Sequence, residues 1–348
     1  MLEVDGGEGG GQLLRSSLAL AALTGRAVRV TDVRGNRSDP GLKPQHLTAV
    51  ETLAEICDAN LAGATPGSET VTFEPGDVRG GHVEVDIGTA GSITLLFDAV
   101  LPLAATVDAP LAVTATGGTE VKWSPPLATY RAVKLPLVRR FDLQAAVERH
   151  RTGFYPAGGG RATLQLAPSN LTPLSLTDRG TLVGAYVISR ESRDLTDQHV
   201  ASRQAGTARS QLQAADIEVV EEIVATAATD SPGSALTVVL AYEGTRAGFD
   251  ALGEPGKPAE EVATDAVERA LAFHGGEDTA DGHTGVAGVV DRHTADQLLL
   301  PLALAGGTVQ MPAVTAHVAS SLELLEQFGF DFTLDESGTA STLTASHP

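Results

Sequence analysis

Three stretches of the chain are apolar almost all round after a polar or glycine-rich start: "GQLLRSSLALAALTG", "GSITLLFDAVLPLAAT" and "TADQLLLPLALAGG". That pattern predicts helices buried against a sheet, because a helix at a solvent boundary keeps one polar face. Each is followed by a short β-branched segment ("RAVRVTDVR", "APLAVTATGG", "TVQMPA"). A second, more amphipathic helix then follows ("KPQHLTAVETLAEICDA", "PPLATYRAVKLPLVRRF", "VTAHVASSLELLEQFGF"). Segments such as "VTFEP" and "DFTL" add further strands. A unit recurring every seventy to eighty residues or so predicts an α+β fold of three copies around a shared core.

The third copy is interrupted. Between "GRATLQLAP", read as its opening segment, and "TADQLLL" lie over a hundred residues of a different grammar. Here "GTLVGAYVISRE" and "ALTVVLAYEG" read as strands. "QHVASRQAGTARSQLQA" and "KPAEEVATDAVERALAFHGG" read as amphipathic helices, the second begun by Pro258. This predicts an inserted α+β domain at 179–278, with 1–178 and 279–348 forming the three-copy domain. "ATDSPGSA" and "GGEDTADGH" read as solvated connectors.

The 348 residues suffice for a large core and two domains. No apolar run reaches the roughly 18 residues that span a bilayer, and residues 1–30 lack a basic segment followed by a cleavage site. The chain therefore reads as soluble and cytoplasmic, without a membrane partner. Its single cysteine, Cys57, lies in an apolar helical pattern and reads as a small buried hydrophobe. The net charge is −20, and only four of the 24 basic residues are lysines. Such a surface suits a protein kept soluble at high salt, and it disfavours gripping nucleic acid through overall charge.

Polar residues gather at the helix starts, "GGGQ", "TAGS" and "HTADQ", where unpaired N–H groups and a partial positive charge favour phosphates. Arginines cluster beside glycines in two places. Arg34, Arg37, Lys43 and His46 fall within "VRGNRSDPGLKPQH", and Arg149, Arg151 and Arg161 flank "TGFYPAGGG". Both clusters suit phosphate clamps, and both equally suit pairing with surplus acids. Tyr155 is placed to stack on a base. His46, His293 and His317 stand at helix starts, and His317 has small neighbours and an imidazole able to attack phosphorus. Glu8, among glycines and far from any other ligand type, fits a hard cation such as Mg²⁺ or Mn²⁺ carried on phosphates, with Asp296 a possible second acid.

Taken in order, "GEGGGQLLRSSLALAALTG", "RSDPGLKPQHLTAV", "GFYPAGGG", "GEPGKPAEEV", "HTADQLLLPLALAGG" and "TAHVASSLELL" resemble the RNA 3′-terminal phosphate cyclase family over nearly the whole chain. The resemblance implies three βαβαββ units with a smaller α+β domain inserted in the third. It implies ATP-dependent conversion of RNA 3′-phosphate ends to 2′,3′-cyclic phosphodiesters through a covalent histidyl-AMP and an RNA-adenylate. On this chain the nucleophile falls on His317 and the metal-binding acid on Glu8. The ATP-contacting segment falls on His293, Thr294, Ala295, Asp296 and Gln297. Arg15, Arg34, Arg37 and His46 fall where the family holds phosphates, and Asp98 stands near the adenine, where relatives can carry Gln. A homodimer is a further possibility that the family raises. Two alternatives are a non-catalytic ribosome-biogenesis relative, which lacks the histidine, and an enolpyruvyl-transferase-like enzyme, which has two three-unit domains on a longer chain.

Overall fold

The computed structural model describes residues 1–7, 10–278, 285–312 and 314–346. The first unit runs β1 (Leu2–Asp5), α1 (Gly10–Thr24), β2 (Val28–Thr31), α2 (Pro44–Cys57), β3 (Asn60–Ala62) and β4 (Val71–Glu74). The second runs β5 (Gly81–Asp86), α3 (Ile93–Val100), β6 (Leu111–Gly117), a helical stretch over 127–141, β7 (Ala145–Arg151) and β8 (Gly160–Leu166). That stretch comprises α4 (Leu127–Thr129), a π turn (Tyr130–Lys134) and α5 (Leu135–Val138), closed by a 3₁₀ turn.

A third sheet opens with β9 (Leu174–Leu176). The chain then leaves it for β10 (Leu182–Ser192), α6 (Val200–Ala214), β11 (Val219–Ala227), β12 (Ser234–Tyr242), β13 (Arg246–Leu252) and α7 (Ala259–His274). After a hairpin of β14 (Glu277–Asp278) and β15 (Gly285–Val286) come α8 (Arg292–Ala305), β16 (Gly307–Met311), α9 (Ala316–Gln327), β17 (Phe332–Asp335) and β18 (Ser341–Ala345).

The three sheets share one plan: their orders are β1-β2-β4-β3, β5-β6-β8-β7 and β17-β18-β16-β9. Each contains one parallel pair, β1 with β2, β5 with β6 and β9 with β16, and is otherwise antiparallel. A parallel pair needs a crossover, and the all-apolar helices supply it. Leu13, Leu14, Leu18 and Leu20 of α1 are all buried although they point in different directions around the helix. Buried residues of the three sheets and their helices merge into one hydrophobic cluster. The chain between β9 and β14 forms a sheet of order β11-β10-β12-β13 with α6 and α7 packed against it and a second cluster of its own. Arg179, where the chain leaves for that sheet, donates to the carbonyls of Phe273 and Gly288 near the return.

Two sequence expectations change. "GRATLQLAP" is not the opening of the third copy: β8 pairs with β6 and β7 in the second sheet, and the third opens with the three residues of β9. Alternation marks a half-buried strand but carries no information about which neighbour it pairs with. Beyond the two strands expected in the interrupting segment, β11 and β13 complete its sheet; five consecutive residues of β11 are solvent-exposed, so it lacks a clean alternating signature. The acidic connector with His283 lies largely outside the described residues. No helix among the described residues is long and apolar enough to cross a membrane.

Candidate functional site

Two of the three expected helix starts, "GGGQ" and "HTADQ", do meet at one cavity, whereas "TAGS" lies off it and its helix contributes one side instead. The cavity, of about 940 Å³, is shared by the beginnings of α1, α2, α8 and α9, one side of α3 and the loop 121–126. Phe249 and Asp250 of β13 and Arg269 of α7 close another wall. This is within the size range of small-molecule sites, and its rim is strongly charged.

The helix starts are capped as their sequences specify. Ser92 accepts from Leu95 N–H, Asp291 from Thr294 N–H at 2.8 Å, and Thr315 from Val318 N–H at 3.1 Å. Asp291 also takes the Thr294 hydroxyl and, at 3.2 Å, Gly248 N–H from β13, so the cap of α8 fastens the separate sheet to the cavity. Gln12 fastens the opposite side. Its amide donates to both carboxylate oxygens of Asp296 (2.9 and 3.0 Å) and to the Ser321 hydroxyl, one turn beyond His317. One side chain of α1 therefore ties α8 to α9.

Around the start of α1 the groups are cationic or donating. Arg37 lies over Gly10, and Arg15 and His46 close over Gly11. Arg34, in left-handed backbone, is held by the carbonyls of Asp39 and Gly41. His46 Nδ1 accepts Lys43 N–H, so its proton sits on Nε2, which faces Gly11. Burial first, and then Arg15, Arg34 and Lys43, push the His46 pKa down to about 3. His46 is thus a neutral donor. Helix N–H groups, arginines and this N–H together suit a polyphosphate.

At α3, α8 and α9 the groups differ. His317, the second residue of α9, is exposed to the cavity, and a charged imidazole there is sensed by Asp296. Burial raises the Asp296 pKa, and the Gln12 hydrogen bond works against that. Asp98 is ion-paired at 2.5 Å with Lys134, a buried lysine that the sequence pattern does not single out. Burial lowers the Arg15 pKa, opposed by Asp98 and Asp296.

Arg15, Arg34, Arg37, His46, Asp98, His293, Thr294, Asp296, Gln297 and His317 thus line one cavity. Ala295 does not: it is 3% exposed and packs in the core. Glu8 lies outside the described residues. Among the described residues no group of three or more His, Cys, Asp or Glu could hold a metal, and the oxygens of Asp296 and one of Asp98 already have donors. Among the described residues, this donor set fits a cation carried on a ligand's phosphates better than a protein cage. The second arginine cluster has a different fate. Arg149 pairs with Glu120, Arg151 with Asp230 and Arg161 with Glu84, and none lines the cavity.

Glycine at position 11 is required by close approach: a Cβ there would collide with the His46 ring and press on Arg15. Gly11→Ala is expected to displace both and weaken binding of a polyphosphate by about 10- to 100-fold, the worth of a hydrogen bond to a charged group. Calorimetric titration would read this; unchanged affinity would show that the His46 position does not shape the site.

A family model described as RNA 3′-terminal phosphate cyclase matches residues 6–334. The chain is 43% identical over 343 residues to the RNA 3′-terminal phosphate cyclase of Halobacterium salinarum, covering 95% of this chain and 96% of that one. It is 37% identical over 338 residues to the Pyrococcus furiosus protein of that name (94% and 93% covered), and 37% over 329 residues to that of Pseudomonas fluorescens (94% and 92%). Among solved structures, the enolpyruvyl transferase NikO from Streptomyces tendae aligns at 15% identity over 100% of this chain and 66% of that one. Its TM-score of 0.25 carries no argument.

Proposed function

The chain belongs to the RNA 3′-terminal phosphate cyclase family, and from that premise we propose that it uses ATP to convert RNA 3′-phosphate ends into 2′,3′-cyclic phosphodiesters. The observation that carries the reading is that one cavity is lined both by Arg15, Arg37 and His46 around the start of α1 and by His317 at the start of α9.

A phosphate monoester is a poor electrophile because oxide is a poor leaving group. His317 addresses this by attacking the α-phosphorus of ATP with a ring nitrogen. The bond from that phosphorus to the bridging oxygen breaks, and pyrophosphate leaves with the electron pair. A 3′-phosphate oxygen of the RNA then displaces the imidazole and takes the AMP. The neighbouring 2′-hydroxyl closes on the 3′-phosphorus, losing its proton, as AMP departs. That last step is intramolecular, so alignment supplies most of the catalysis, with effective molarities of about 10⁵ M or more.

Arg15, Arg34 and Arg37 would offset the charge of the triphosphate and the RNA end. With its pKa pushed down to about 3, His46 donates a hydrogen bond near neutral pH without adding charge. Gln12 and Asp296 fix α9 relative to α8, and so fix His317. A divalent ion held through Glu8 would supply further neutralisation on the phosphates.

The test is direct. An oligoribonucleotide ending in 3′-phosphate, incubated with the protein, ATP and Mg²⁺ or Mn²⁺ at low and at molar salt, is expected to become resistant to phosphatase. Ends that stay phosphatase-sensitive in every condition would favour a non-catalytic relative.

A further inference from the structure

Trp123 is the chain's single tryptophan. It lines the cavity yet is 93% exposed, and its backbone is left-handed, at φ 61°. Both features are costly: a bulky residue is disfavoured at positive φ, and a large apolar ring stands in water. At that exposure, packing against the described residues offsets neither cost. The loop that carries the ring is nonetheless tied down. Ser124 donates to the Val121 carbonyl, Thr94 to the Pro125 carbonyl at 2.8 Å, and Lys122 is ion-paired with Glu254 at 2.7 Å.

A second exposed aromatic lies on the adjoining loop. Glu120 and Phe154 form a parallel β-bridge, and Thr119 and Glu120 both donate to the Gly153 carbonyl. Trp123 follows that bridge by three residues and Tyr155, 71% exposed, by one. Chain reach keeps the two backbones within about 20 Å, a span that a few nucleotides of single strand can cover.

Resting on the function proposed above, we propose that Trp123 is a stacking platform for the nucleobase of the RNA's 3′-terminal nucleotide, and that Tyr155 receives a base further upstream. A platform offers only a π face, so it accepts any base, which suits RNA ends of varied sequence. Adenine, by contrast, must be told from other bases at its edges, which an exposed ring cannot do. Stacking is also independent of charge. It holds a strand that the net charge of −20 repels and that high salt releases from arginines.

Because Trp123 is the only tryptophan, its emission reports this contact alone. A short oligoribonucleotide ending in 3′-phosphate is expected to quench it. The same oligonucleotide with an abasic terminal ribose is expected to quench it much less, and ATP alone hardly at all. Trp123→Ala is expected to raise KM for RNA ends by about tenfold, with kcat and the KM for ATP within about twofold, and Trp123→Phe to recover most of the loss. Tyr155→Ala should affect longer oligonucleotides and spare a dinucleotide. Equal quenching by ATP would place adenine on the ring and overturn the proposal. So would equal quenching by the abasic end, or an unchanged RNA KM in Trp123→Ala. A protein that cyclises ends with an unaltered Trp123→Ala KM refutes the platform and keeps the activity. One that is quenched by base-bearing ends alone but forms no cyclic product keeps the platform and refutes the activity.

Discussion

Substituting His317 by alanine is expected to abolish transfer of label from α-³²P ATP to the protein and to lower end cyclisation by at least about 10⁴-fold. In wild type the label should be acid-labile and base-stable, as a phosphoramidate is. His317 is exposed in the first turn of α9, where its ring packs into no core. Alanine is the better helix former there, so the variant should fold and keep a thermal midpoint close to wild type. The groups proposed to hold the phosphates, Arg15, Arg37 and His46, belong to α1, α2 and the loop before it, so ATP affinity should change by less than about threefold. Protein labelling that persists in the variant, or an activity loss below about tenfold, would assign the nucleophile elsewhere.

The second large effect concerns Glu120, beneath the aromatic loop. It is buried, accepts from Arg149 at 3.0 Å through one oxygen, and has no partner among the described residues on the other; Arg149 Nε and Arg190 Nε are likewise unsatisfied. Burial first pushes its pKa up to about 7, while Arg149 and Arg190 pull it down and Asp250 adds to the rise. The folded chain therefore holds this proton more tightly than the unfolded one, whose value is near 4.5. Its contribution to stability is complete below about pH 4.5 and is lost as the pH rises through about 7. The size is roughly 3 kcal/mol, because each tenfold change in proton affinity is worth about 1.4 kcal/mol. Glu120→Gln cannot titrate, so denaturant unfolding from pH 4.5 to 8 should show wild type losing roughly that much relative to the variant. Parallel pH profiles for the two proteins would show that Glu120 titrates normally.

Particular residues show how much was legible beforehand. His317 and the Arg34–His46 segment could be found because each is a local pattern at a helix start. Gln12 was visible only as the end of "GGGQ": its partners Asp296 and Ser321 lie 284 and 309 residues away, and no spacing rule reaches that far. Lys134 reads as one more polar residue on an amphipathic helix until Asp98 is seen opposite it. Trp123 carried a signal, a lone tryptophan between a lysine and two prolines, but exposure is what gives it meaning.

The two arginine clusters separate what each level decides. Both place guanidinium groups beside glycines, and local chemistry makes them equivalent. Buried helix starts, strand-forming segments, caps and the threefold recurrence follow from short-range preferences and periodicity, and these the chain's order of residues determined by itself. Which acids stand beside which arginines does not. Glu120, Asp230 and Glu84 reach Arg149, Arg151 and Arg161 only through pairing between loops and strands, whereas Lys43 pairs locally with Asp39 and Arg34 and Arg37 line the cavity. Charge interactions fall off over a few ångströms in a folded interior, so the tertiary structure alone decided which cluster was neutralised and which was left facing a cavity.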